Sequence, residues 1–150
     1  MPQLPEAIWK RRLDSEYAQM QASDEKFEVN SDRTQYLVSL TGRALAKIDG
    51  KVADQNHHSI EINLFRSYPY AGGIEVVWLS PIFHPNIRPV DGAVCIQLVN
   101  KWAETQTVAS VVKALKQLLQ NPNPESPLNH EAASYYKTGS LERKGPRVVI

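Results

Sequence analysis

Apolar residues change their spacing along the chain, and each change marks an element. Between residues 5 and about 22, Ile8, Trp9, Leu13, Tyr17 and Met20 recur every three or four positions, which predicts an amphipathic helix. Over 27–30 and 34–42 the period falls to two. Tyr36, Val38 and Leu40 lie opposite Leu37 and Ser39, and Ser31, Asp32 and Arg33 form a polar turn, so two antiparallel strands are expected. The stretch 44–57 holds an Asp49-Gly50 turn signal among weakly alternating residues and fits either an extended hairpin or a loop. Residues 59–65 and 74–79 predict two more strands, connected through Tyr68-Pro69 and Gly72-Gly73. From 80 to 105 the periodicity fails, and Pro81, Pro85, Pro89 and Gly92 punctuate a long irregular segment of the kind that is usually functional or disordered. Helical spacing returns with Val108, Val111, Val112, Leu115, Leu118 and Leu119, introduced by Thr105 or Thr107 as cap and stopped at Asn121-Pro122. A short helix follows from Pro127 or Asn129 to Lys137, with Ala132, Ala133 and Tyr136 inward and Gly139 at its end. Residues 140–150 read as a tail.

Composition narrows the function. The 150 residues, 42% of them hydrophobic, fit one domain spanning 1–150 with a core that needs no disulfide or structural metal. Seventeen Lys+Arg against 16 Asp+Glu leave a formal charge of +1, so no overall field gathers nucleic acid or a membrane surface. Apolar runs of only four residues, at 76–79 and 93–96, are far short of a membrane span of about 20. The single cysteine, Cys95, and the lack of a secretory pattern make a cytoplasmic location the expectation.

The four histidines match no metal-ligand spacing; His57 and His58, on opposite faces of a strand, read as surface residues. There is no phosphate-cradling glycine loop and no Gly-x-Ser-x-Gly elbow. Cys95 is the remaining nucleophile. Taken alone it reads as a small buried apolar residue, but it follows an irregular segment and Gly92, where a reactive group can be presented. A thiol with an ordinary pKa near 8.5 is only a few per cent thiolate at neutral pH, yet that suffices for exchange between thioesters.

Tyr68-Pro69-Tyr70, His84-Pro85-Asn86-Ile87, Gly92-Ala93-Val94-Cys95-Ile96, Trp102 and Asn121-Pro122-Asn123-Pro124-Glu125-Ser126-Pro127-Leu128 occur in an order and at intervals that resemble the catalytic core of the ubiquitin-conjugating enzymes. The likeness runs from about residue 62 to 138, roughly half the chain. It implies an α+β fold: an N-terminal helix, a four-stranded antiparallel sheet, a long irregular active-site segment, a central helix and one short C-terminal helix. It also implies that Cys95 accepts a ubiquitin-like modifier from an activating enzyme as a thioester and passes it to a substrate lysine or to a ligase. No cofactor is then needed, because ATP is used upstream by the activating enzyme. Asn86 resembles the family's motif asparagine, which either supports the oxyanion formed on lysine attack or orders the adjoining loop. The first role would make loss of its donor cost lysine transfer about 2.7–4 kcal/mol. His84 resembles a motif histidine that fixes this loop, and Tyr68 is expected to pack beside it.

The same likeness assigns Lys10, Arg11 and Arg12, otherwise a solvated helix face, to docking on the activating enzyme. Leu64, Ala103 and Glu104 fall where members contact a RING-type ligase. Ser126 stands where many members carry an Asp that orients or deprotonates the incoming lysine; Glu125, Asp91 or Glu104 are the acids that could compensate. Departures from the pattern, namely Gly72-Gly73 for a proline pair, one extra residue between Asn86 and Cys95 and an extended Asp49-Gly50 hairpin, suggest a divergent branch, a prokaryotic-type one included. Only thirteen residues follow Lys137, so the family's second C-terminal helix is expected to be missing. A monomer is the family expectation. Two other readings compete: an inactive variant of this fold that only binds the modifier, and an unrelated cysteine hydrolase with a histidine base near the thiol.

Overall fold

A computed structural model of the chain describes residues 2–94, 106–125 and 127–139. Helix α1, Glu6–Ala22, begins behind Pro5 and buries Leu13, Glu16 and Met20, one turn or two apart on a single stripe. Ile8, expected on that stripe, is instead exposed, while its neighbour Trp9 packs against the core. Strands β1 (Lys26–Val29), β2 (Gln35–Ile48), β3 (Lys51–Leu64) and β4 (Ile74–Trp78) form one antiparallel sheet in sequential order. Helices α2 (Val108–Gln120) and α3 (His130–Thr138) follow.

The Asp49-Gly50 signal proves to be the tip of a long hairpin and not a loop. Ile48 pairs with Lys51, leaving a two-residue connection in which Asp49 (φ 52°) and Gly50 (φ 76°) both take the left-handed conformation of a type I′ turn. Pairing steps three residues on β2, from Thr41 to Ala44, against two on β3, from His57 to Gln55, so one extra residue makes a bulge there. At the β1–β2 turn, Asn30 Oδ1 accepts from the backbone N–H of both Thr34 (2.9 Å) and Gln35 (3.1 Å).

One face of the sheet makes the core. Tyr36, Val38 and Leu40 from β2, Ile60, Ile62 and Leu64 from β3, and Val76 and Trp78 from β4 meet Leu13 and Met20 of α1 and the apolar stripe of α2. The α2 cap is Thr107: its side chain accepts from Ser110 N while Ser110 Oγ accepts from Thr107 N, closing a capping box. Asn129 caps α3 by accepting from Ala132 N, and Gly139 (φ 73°) ends it in the left-handed conformation. Among the described residues no helix is long and apolar enough to cross a membrane.

Candidate active site

The turn 84–86 is fully buried, and three elements converge on it. His84 Nε2 lies 3.0 Å from the carbonyl of Leu118 near the end of α2, and His84 Nδ1 is 3.0 Å from the N–H of Asn86. A carbonyl can only accept, so Nε2 carries the proton and Nδ1 is the acceptor. Burial pushes the imidazole pKa down to about 4, so His84 is neutral and both ring nitrogens are occupied at neutral pH. That is a structural arrangement, with no nitrogen left to act as a base.

Asn86 is bound as tightly. Its Nδ2 donates to the carbonyl of Asn123 (2.8 Å), and its Oδ1 accepts from the N–H of the same residue (2.8 Å). Between the two side chains, the Pro85 carbonyl accepts from Leu128 N (2.8 Å) and Asn129 N (3.0 Å). The turn therefore holds the 121–129 connection at both ends, by side chain at Asn123 and by backbone at Leu128. Asn86 keeps one amide hydrogen beyond the bond to Asn123. The geometry accounts for a loop-ordering role with every observed contact.

On the other side, Ile87 forms an isolated antiparallel bridge with Val94, and Val77 forms one with Ala93. Gly92 (φ 74°) donates its N–H to Arg88 O and accepts from Trp78 N. A Cβ at residue 92 would sit 2.1 Å from the Trp78 carbonyl, so only glycine fits. These contacts fix the chain up to Val94, the residue before Cys95. Cys95, Trp102, Ala103, Glu104 and Ser126 lie outside the described residues, as do the proposed tail and the question of a further C-terminal helix. Asp91 is held by a two-pronged pair with Arg88 (2.9 and 2.8 Å) and also accepts from Ala93 N. The hydrogen bond from Arg88 holds its carboxyl below the usual carboxylate range. Glu125 is exposed and faces Lys137 at 3.6 Å.

Several expected site residues are placed elsewhere. Arg12 does not share the exposed face of Lys10 and Arg11; it turns inward, with Nε 2.8 Å from Glu16 and Nη2 2.7 Å from the Gln106 carbonyl, and its guanidinium lies over the Tyr68 ring. Tyr68 was expected beside the 84–86 turn, but its hydroxyl donates to Glu16 (2.9 Å) beneath α1, where burial pushes the phenol pKa up and keeps the proton in place. Leu64 is only 3% exposed: the period of β3 turns it into the core, and the exposed aromatic at this corner is its neighbour Phe65. His58 is buried, not a surface residue, because it faces the same side as Ile60; its Nε2 meets the Gly42 carbonyl at 2.9 Å and its ring packs edge-on to Trp78. Among the described residues no group of three or more His, Cys, Asp or Glu is placed to hold a metal.

Glu16 was missed altogether. Its carboxylate accepts from Arg12, from Tyr68 and from the N–H of Val108 (2.7 Å), the first residue of α2, and thus ties both helices and the 66–70 corner together. Its position three residues after Leu13 and four before Met20, with Arg12 four residues ahead, was the available signal.

With this geometry in place, comparison with known proteins gives one answer. A family model described as ubiquitin-conjugating enzyme matches residues 12–145. A Dictyostelium discoideum ubiquitin-conjugating enzyme E2 B is 29% identical over 90 residues, 60% of each chain. The Mycosarcoma maydis ubiquitin-conjugating enzyme E2 2 is 41% identical over 68 residues, 45% of this chain and 36% of its own. The Arabidopsis thaliana ubiquitin-conjugating enzyme E2 6 is 32% identical over 127 residues, 83% of this chain and 66% of its own. The chain thus spans between about a third and two thirds of the length of these curated relatives. The solved E2 domain of a Toxoplasma gondii ubiquitin-conjugating enzyme superposes with a TM-score of 0.67 at 22% identity, covering 86% of this chain and 87% of that one, which establishes the shared fold. The chain belongs to the ubiquitin-conjugating enzyme family.

Proposed function

We infer that this protein is a ubiquitin-conjugating transferase that carries its modifier on Cys95. The Cys95 thiolate attacks the thioester joining the modifier's C-terminal carboxyl to the activating enzyme. The new thioester forms on Cys95 as the enzyme's thiol leaves. A substrate lysine amine or a ligase thiol then attacks in turn, releasing Cys95. ATP is used only upstream, and the chain itself uses no cofactor. The observation that carries this reading is the buried clamp of His84, Pro85 and Asn86 on the end of α2 and the 121–129 connection, which ends six residues before Gly92, itself three residues before Cys95.

Within that reading Asn86 acts by ordering the loop, His84 by holding it, and Lys10 and Arg11 are the helix cations left for activating-enzyme docking. Ligase choice rests on the corner that holds Phe65, together with Ala103 and Glu104. The lysine gate has Ser126; of the two described acids, Asp91 is held by a two-pronged pair with Arg88 and Glu125 by a single longer pair with Lys137 at 3.6 Å, so Glu125 is the one more easily released to orient an incoming lysine. The test is single-turnover discharge. Protein charged with ubiquitin and separated from the activating enzyme should lose its adduct faster as free lysine is added, with a ubiquityl-lysine product. Loss at the same rate with and without lysine would mean hydrolysis and favour the cysteine-hydrolase reading. Failure to charge at all would favour the modifier-binding module.

A further inference from the structure

We propose that the cleft beside the 87–92 loop is a recognition subsite for an apolar side chain of the acceptor protein, a few residues from the lysine that receives the modifier. This deepens the transferase reading and rests on it. The cleft, of about 740 Å³, lies between the β2–β3 hairpin, the loop after β4, the 87–92 loop and the start of α3. Its apolar wall is open to solvent: Val90 is 88% exposed and Leu79 50%, and Pro81 and Pro89 continue it.

The charges around the cleft argue against a charged occupant. Lys47 is paired with Glu131 at 2.6 Å and Arg88 with Asp91 at 2.8 Å, so two cations and two anions line it and cancel. A ligand charge would have to break one of these pairs, whereas an apolar side chain gains by covering Val90 and Leu79. Position argues for an acceptor segment. Gly92 lines the cleft and precedes Cys95 by three residues, so their Cα atoms are at most about 11 Å apart. Ile87, next to Asn86, lines it as well. A lysine that reaches Cys95 therefore brings its flanking residues within reach of this cleft, since an extended chain covers that distance in roughly three or four residues.

Synthetic peptides with a single lysine test this, read as discharge of the full-length protein's ubiquitin thioester at sub-saturating peptide. Peptides with leucine two to five residues from the lysine should discharge it about tenfold faster than Gly/Ser-flanked ones. In Val90→Asp, and independently in Leu79→Ser, that preference should vanish. Each peptide rate is divided by the same variant's rate with free lysine, so that differences in charging cancel. Ile8→Asp, on the exposed first turn of α1, should keep the preference. Equal rates for both peptide classes in the unsubstituted protein, or a preference that survives both cleft substitutions, would overturn the subsite while leaving the transferase reading intact. A protein that never charges overturns the reading on which the subsite rests.

Discussion

Replacing Glu16 with alanine removes a fully buried carboxylate that accepts three hydrogen bonds, from Arg12 Nε, Tyr68 Oη and Val108 N. The guanidinium of Arg12 is left without its counter-charge, and the first N–H of α2 loses its acceptor. Breaking a buried ion pair from one side costs about 3–5 kcal/mol. The Arg12 side chain is 24% exposed and keeps its bond to the Gln106 carbonyl, which places the expected cost near the lower end, about 3 kcal/mol. For a chain of this length that corresponds to a fall in Tm of roughly 6–12 °C. Urea unfolding, with the midpoint moving and the slope unchanged, measures it. The double variant Arg12→Leu/Glu16→Leu should be more stable than the sum of its two single changes, because it removes both charges together, while the cost of the lost bonds from Tyr68 Oη and Val108 N remains. A cost below about 1 kcal/mol for Glu16→Ala, or a double variant as unstable as the sum of its two single changes, would refute this account of how α1 is joined to α2.

Other substitutions probe the turn and its approach. Asn86→Ala should destabilise the fold by about 2 kcal/mol, since two buried hydrogen bonds to Asn123 disappear; slow lysine discharge with unaltered urea stability would instead point to the oxyanion role. His84 has a folded-state pKa of about 4 against an ordinary 6.5, so the unfolded chain binds the proton first as pH falls. Its contribution is complete above pH 6.5 and is lost progressively down to about pH 4, by roughly 3 kcal/mol. The His84 ring resonances in NMR should titrate near pH 4, and a midpoint near 6.5 would contradict a buried neutral ring. Gly92→Ala must bring a Cβ to 2.1 Å from the Trp78 carbonyl, whereas Gly50→Ala at a similar φ meets nothing within 4 Å. The second should cost about 1–2 kcal/mol and the first clearly more; equal midpoints in urea would contradict the close approach.

The regular elements were legible because each follows from a local pattern. Thr107, Asn129 and Gly139 sit where caps belong, and the stripe from Val108 to Leu119 is the buried face of α2. The hairpin at Asp49-Gly50 was ambiguous because residues 51–57 are mostly exposed and polar, so alternation is weak where only backbone pairing holds the strands. Site contacts were harder to read. His84 and Asn86 stood out as residue types, but their partners are the backbone groups of Leu118 and Asn123, which leave no trace in side-chain identity. Leu64 and Phe65 show the cost of a one-residue offset on a strand, which exchanges a core position for a surface one. Arg12 reads by charge as part of a solvated face and Glu16 draws no notice, yet their four-residue spacing beside Leu13 lets them neutralise each other inside.

The central claim is that Cys95 carries a modifier, and intact-mass analysis after incubation with ubiquitin, its activating enzyme and ATP tests it most directly. The account predicts a species heavier by one ubiquitin less one water, reversed by excess thiol and absent in Cys95→Ala. A folded protein that gains no mass, or an adduct that persists in Cys95→Ala, would contradict it.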